Sequence, residues 1–234
     1  MYPVNFDPEY DIQQRVFSFM YGVYAWMACA LGVSAVISGI VASSPKIFAF
    51  FFANPALVIG IVIMQFALVL GLSFAIMRMS FATALTMFLV YAASVGVTLS
   101  TIFYIYTPFS IITTFITAAG MFGAMAVYGY VTKTDLTSLG SMSMMVLVGM
   151  IIAMVVNLFV KSQALDFAIS GIGVLVFVAL TAYDTQQIKR IGASLLENRE
   201  AAQKIMLIGA LQLYLDFLNL FLFLLQFVGK KNND

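Results

Sequence analysis

Apolar residues in this chain neither alternate nor recur at short intervals; they run on for about twenty positions at a time. Seven such runs are evident: Phe17–Val41, Pro55–Ile76, Phe81–Tyr104, Ile111–Val131, Met142–Val160, Phe167–Tyr183 and Ile205–Val228. A hydrocarbon core of ~30 Å is crossed by about 20 helical residues, so each run predicts a transmembrane helix, the sixth being the shortest. Unbroken apolarity is at odds with the alternating strands of a membrane barrel. The expected fold is therefore an all-α membrane protein, a single seven-helix transmembrane domain over residues 1–234. The connecting loops are short except Asp184–Lys204, which carries Lys189, Arg190, Glu197, Arg199, Glu200 and Lys204. That stretch is predicted to lie, partly helical, on the membrane surface.

Composition agrees. Hydrophobic residues make up 63% of the chain and charged residues 9%, against roughly 45–50% and 25% in soluble domains. The lipid bilayer is the implied partner. A net charge of +1 argues against nucleic acid, which calls for a basic patch. Histidine is absent, which removes Ser-His-Asp and Cys-His catalysis and every His-ligated metal site. The one cysteine, Cys29, permits no intrachain disulfide and reads as a small packing residue of the first helix. No phosphate-binding loop, EF-hand loop or HExxH pattern is present, so no cofactor is expected.

The Lys/Arg bias of the loops sets orientation. Arg15, Arg78, Lys133, Lys189, Arg190, Arg199 and Lys204 fall on one side; Lys46, Lys161, Lys230 and Lys231 fall on the other. This places the N-terminus in the cytoplasm and, with seven spans, the C-terminus outside. Tyr104, Tyr106, Tyr128 and Tyr130 sit near helix ends, as an interfacial belt would. Ala119, Gly120, Gly123, Ala124 and Gly129 in the fourth run predict close helix packing.

Eight of the ten acidic residues fall in tails and loops; Asp184 and Asp216 do not. Counting from Ile205, Asp216 lies roughly 16 Å along its helix, near mid-membrane. A carboxylate there costs about 2.5–3.5 kcal/mol, and such residues usually face a bundle interior and act. Gln212, Asp216, Asn219 and Gln226 follow at i, i+4, i+7 and i+14, a polar stripe on a Leu/Phe cylinder that points to a central seventh helix. The alternative is that these amides and a protonated Asp216 hold helices together. Asp184, in Tyr183-Asp184-Thr185-Gln186-Gln187, is either a solvated helix end or the partner of Asp216. Two carboxylates in a dry site cannot both ionise cheaply and tend to share a proton. Pairing requires the shallower Asp184 to reach Asp216, by tilt, by a seventh helix that begins outside the bilayer, or by a cytoplasmic vestibule; the vestibule is the expectation. Arg78 either snorkels to headgroups or neutralises the pair.

Three stretches carry a resemblance: Tyr128-Gly-Tyr-Val-Thr-Lys-Thr-Asp-Leu-Thr-Ser-Leu-Gly140, Leu180-Thr-Ala-Tyr-Asp-Thr-Gln186 and Gly209-Ala-Leu-Gln-Leu-Tyr-Leu-Asp-Phe-Leu-Asn-Leu-Phe221. With Phe19-Met-Tyr-Gly-Val-Tyr-Ala-Trp-Met27, they resemble the Bax inhibitor family in its bacterial branch, over nearly the whole chain. The resemblance implies a bacterial inner-membrane bundle whose last helix is surrounded by six others. It also implies a pH-sensitive calcium leak gated by an aspartate pair, here Asp184 and Asp216, with Arg78 at the family's basic position. An acid that some relatives carry in the second helix is missing; Gln65 is the strongly polar residue there.

Three functions compete. The first is a proton-gated leak of cations, with Ca²⁺ held transiently by Asp184 and Asp216 and supported by Gln212, Asn219, Thr185 and water. The second is a non-enzymatic regulator that binds another membrane protein, such as a protease. The third is an intramembrane aspartyl protease, which is disfavoured because Leu213-Tyr214-Leu215 precedes Asp216 where Gly-x-Gly would open the backbone.

Overall fold

The computed structural model describes residues 8–194 and 199–232. Nine helices follow one another among them: α1 (Pro8–Ser43), α2 (Pro45–Phe52), α3 (Pro55–Ala75), α4 (Phe81–Leu99), α5 (Ile102–Ile105), α6 (Pro108–Val131), α7 (Thr137–Val160), α8 (Gln163–Ser194) and α9 (Arg199–Val228), with a 3-10 turn at Ile76–Arg78. Seven spans are long and apolar enough to cross a membrane. The protein is an all-α bundle of seven transmembrane helices. Of the acidic residues assigned to tails and loops, Asp7, Glu197 and Asp234 lie outside the described residues.

Polar caps punctuate the spans. Asn54 Oδ1 accepts from the Ala56 amide at 3.0 Å, Ser80 Oγ from Thr83 at 3.1 Å and Thr107 Oγ1 from Ser110 at 3.3 Å. Pro55 and Pro108 occupy first-turn positions, where their missing N–H costs nothing. Lys161, with φ of 53°, takes the left-handed conformation that ends α7. Asn157 then braces the turn, its Oδ1 accepting from the Ser162 amide at 2.9 Å and its Nδ2 donating to the Ser162 carbonyl at 3.2 Å.

The sixth span departs most from expectation. It is a 32-residue helix, among the longest, rather than a short one ending at Tyr183. The predicted surface loop Asp184–Lys204 is largely the continuation of α8 and the start of α9. Its polar side chains depress local hydropathy without interrupting the helix, because they lie where the helices pass beyond the apolar core. Lys204 is even buried there, its ammonium 2.8 Å from Glu200 one turn away. Asp184 is thus well inside a helix. Helix α9 begins six residues before Ile205, so Asp184 and Asp216 both lie well inside long helices that run side by side.

Two-thirds of the α9 span is buried, against 6% of α3. Leu207, Leu213, Tyr214, Leu220 and Leu225 on α9 are almost fully enclosed. Helices α1, α4, α6 and α8 pack directly on α9, while α3 packs mainly on α4 and α7 mainly on α8. The last helix is central, with α1, α4, α6 and α8 as its main neighbours and α3 and α7 further out. Within α6, Gly129 meets the α8 backbone at Ala182, but Gly120 and Gly123 face open space, so the small-residue run is only partly a packing seam. Cys29 is exposed on α1.

Candidate functional site

Because α3 and α7 stand apart, α8 and α9 share an uncovered strip between them. There lies a cavity of about 630 Å³, floored by Asp184, Gln212, Asp216 and Asn219. Its walls are Phe66 of α3, Met144, Leu147, Ile151 and Met154 of α7, and Phe177 and Tyr183 of α8. Phe66, Met144 and Ile151 are exposed mid-helix side chains. The mouth therefore faces the bilayer between α3 and α7.

Both carboxyls are buried, each 5% exposed. They line the same cavity as close neighbours on facing helices, with Gln212 beside Asp184. Asp216 Oδ2 is buried without a hydrogen-bond partner. Asn219 donates Nδ2 to the Leu215 carbonyl at 2.8 Å, which leaves its amide oxygen available to the cavity. Among the described residues, no cluster of three or more acidic, His or Cys side chains is present.

Close helix contact makes this meeting possible. A side chain at Gly173 would collide with the Phe223 ring, and Phe223 instead stacks on Phe177 with centroids 5.7 Å apart. These contacts on the side toward Gln163 bring α8 and α9 together about two to three turns from the acids. The four residues Tyr183-Asp184-Thr185-Gln186 then point four ways, since successive helical residues turn by about 100°. Tyr183 lies against Gly140 of α7 and Asp184 faces α9. Thr185 is fully buried beside Tyr24 of α1, away from the cavity. The side chain of Gln186 spans to the 132–136 loop, accepting from the Leu136 amide at 3.0 Å and donating to the Thr134 carbonyl at 2.8 Å.

The predicted residues are accordingly divided. Asp184, Asp216, Gln212 and Asn219 come together. Thr185 does not join them, and Gln226 is exposed near the end of α9, beyond the cavity. Arg78 is exposed at the end of the 3-10 turn and does not line the cavity either, so it does not flank the acid pair here. The sequence reading missed the Gln186 fastening and also Lys189, whose Nζ donates to the Tyr130 carbonyl at 2.7 Å and lies 4.4 Å above the Tyr130 ring. It also missed the buried link of Ser34, whose Oγ lies 2.7 Å from both the Ala92 carbonyl and the Tyr214 hydroxyl. Amides and hydroxyls of this kind carry no periodic signal; only the Tyr-Asp-Thr-Gln motif flagged one of them.

Comparison with known proteins agrees with this architecture. The chain is 44% identical over 216 residues to the inner membrane protein YbhL of Escherichia coli K12, covering 92% of each. It is 44% identical over 216 residues to an uncharacterized protein of Borreliella burgdorferi, covering 92% of this chain and 93% of that one. Protein RP147 of Rickettsia prowazekii, also uncharacterized, is 43% identical over 217 residues, 92% and 90% of the two chains. A family model described as "Inhibitor of apoptosis-promoting Bax1" matches residues 16–233, and the chain belongs to this Bax inhibitor family.

Proposed function

We propose that this protein is a proton-gated cation leak of the bacterial inner membrane, with Ca²⁺ as its main cargo and Asp184 and Asp216 as its gate. The observation that carries the reading is the meeting of two buried carboxyls at the floor of a cavity, one oxygen left without a partner. Carboxyls that close hold one proton between them, because two like charges in a medium of low dielectric repel strongly. With the proton the pair carries a single negative charge, spread over the two carboxyls, and holds a divalent ion weakly. Without it, the pair presents two negative charges to a divalent ion.

A hard cation takes six to eight oxygens. The pair, Gln212 and Asn219 supply only part of that shell and water the rest, which suits an ion that must leave again. The cavity opens on lipid, so conduction requires α3 or α7 to shift, and the arrangement described is the closed one. Helix α3, the least buried span, is the natural moving part, with Arg78 holding its end at the headgroups. The N-terminus lies in the cytoplasm in this reading, and the inner-membrane location follows the name of the Escherichia coli relative.

The exposed apolar surface of α3 also favours a second reading, a regulator that docks another membrane protein there. Peptide hydrolysis fits less well: both acids lie in unbroken helix, which offers no extended backbone to a substrate strand.

The test is Ca²⁺ flux into proteoliposomes over a pH series. Flux should rise as pH rises through the titration of the pair, and Asp184→Asn and Asp216→Asn should each flatten that response. An Asp216→Asn protein that leaks with the original pH dependence would exclude the gate.

A further inference from the structure

We infer that the chain also binds a phospholipid of the bilayer, with an acyl chain between α1 and α6 and the headgroup beside Lys189. The site is separate from the acid pair. These two helices stand apart and leave an apolar groove of about 490 Å³ from Phe17 to Leu31 on one wall and from Phe122 to Tyr130 on the other. Fourteen residues of α1 correspond to about 21 Å, enough for a chain that reaches through one leaflet of a ~30 Å hydrocarbon core. The groove is apolar for its whole length, and Gly123 and Ala28 keep it open.

Its end on the side of Pro8 and Ser194 is different. Phe17 and Tyr130 belong both to the groove and to an adjoining cavity of about 460 Å³, which is lined further by Gln13, Gln14 and Ser18. At Tyr130 stands the Lys189 ammonium, which spends one of its three donors on the Tyr130 carbonyl. A polar mouth continuous with a narrow apolar trough, with the Lys189 ammonium 4.4 Å from the Tyr130 ring at its edge, matches an amphiphile with an anionic head. Size excludes a helix: a spanning helix, about 10–12 Å across and 30 Å long, displaces several times the volume of the groove.

Native mass spectrometry of the full chain, purified in a delipidating detergent and offered defined anionic and zwitterionic phospholipids, tests the site. The original protein should retain a single phospholipid. Gly123→Leu fills the groove from a position with no atom within 4 Å of the new Cβ, and Ala28→Leu fills it from the opposite wall should the first variant fail to fold. Both should lose the adduct. Gly149→Leu, equally open but on α7, should keep it. Lys189→Gln should keep the adduct and lose the preference for anionic heads. Absence of retained lipid in the original protein, or an adduct untouched by both groove fillings, overturns the site. Capture of polypeptide in place of lipid by a photoreactive side chain at position 28 does so as well.

Discussion

Gly129 on α6 and Ala182 on α8 meet backbone to backbone, with no room for a β-carbon between them. This contact fixes the height of α8 two residues before Asp184, and the obstacle is a carbonyl that no rotamer can move aside. Gly129→Ala should therefore destabilise the protein by about 1–3 kcal/mol, the usual cost of overpacking, read as a fall in Tm in detergent. Gly120→Ala, in open space on the same helix, should be neutral or slightly stabilising, since alanine is the better helix former.

The acid pair is expected to cost stability. Replacing both members of a buried polar pair with apolar groups is often neutral or favourable, whereas removing one strands the other. The double variant Asp184→Leu/Asp216→Leu should match or exceed the original stability, by up to about 2 kcal/mol, with a Tm no lower than the original, and should conduct no Ca²⁺ in proteoliposomes. A double variant that unfolds would make the pair a structural brace instead.

Gln186 ties α8 to the loop before α7 through two hydrogen bonds. Gln186→Ala strands both backbone partners and should cost about 1–3 kcal/mol, with faster tryptic cleavage at Lys133. The neighbouring ion pair of Arg190 and Asp135, 3.3 Å apart with side chains 46% and 65% exposed, is open to solvent. Arg190→Ala should change stability by less than about 1 kcal/mol, leaving Tm nearly unmoved.

Asp135, in that same loop, has its carboxyl held below the usual carboxylate range. The Thr137 hydroxyl at 2.6 Å is the first cause, the Thr137 amide at 2.9 Å the second and Arg190 a smaller one. Because the folded value is the lower, this loop is stabilised at pH above the ordinary carboxylate range and loses that support as pH falls through the depressed value. A carboxyl NMR titration should show the midpoint rise toward the ordinary value in Thr137→Val, and rise less in Arg190→Ala.

The seven spans and the central seventh helix were legible because hydropathy over twenty residues is the dominant signal in a chain that must face lipid. The acid pair was legible because a carboxylate in such a run is costly. What escaped was governed by azimuth and by length. Gln226 shares a helical face with Gln212, but it lies ten residues past Asp216, about 15 Å, where the cavity has ended. Arg78 was placed correctly at the end of the second span, but its height says nothing of which way it points. The extension of α8 through Lys189 and Ser194 was hidden because hydropathy reads the membrane boundary and not the end of a helix.

The last residues return to the bundle: the Thr107 amide donates to the Lys230 carbonyl at 3.0 Å, the Lys230 amide to Ser110 Oγ at 2.8 Å and the Asn232 amide to the Ile105 carbonyl at 2.9 Å. Together they pin the foot of the central column to the link between α4 and α6. Any displacement of Asp216 must then be a rocking of α9 about that foot, with amplitude growing toward Arg199 like a lever swinging from a fixed pivot.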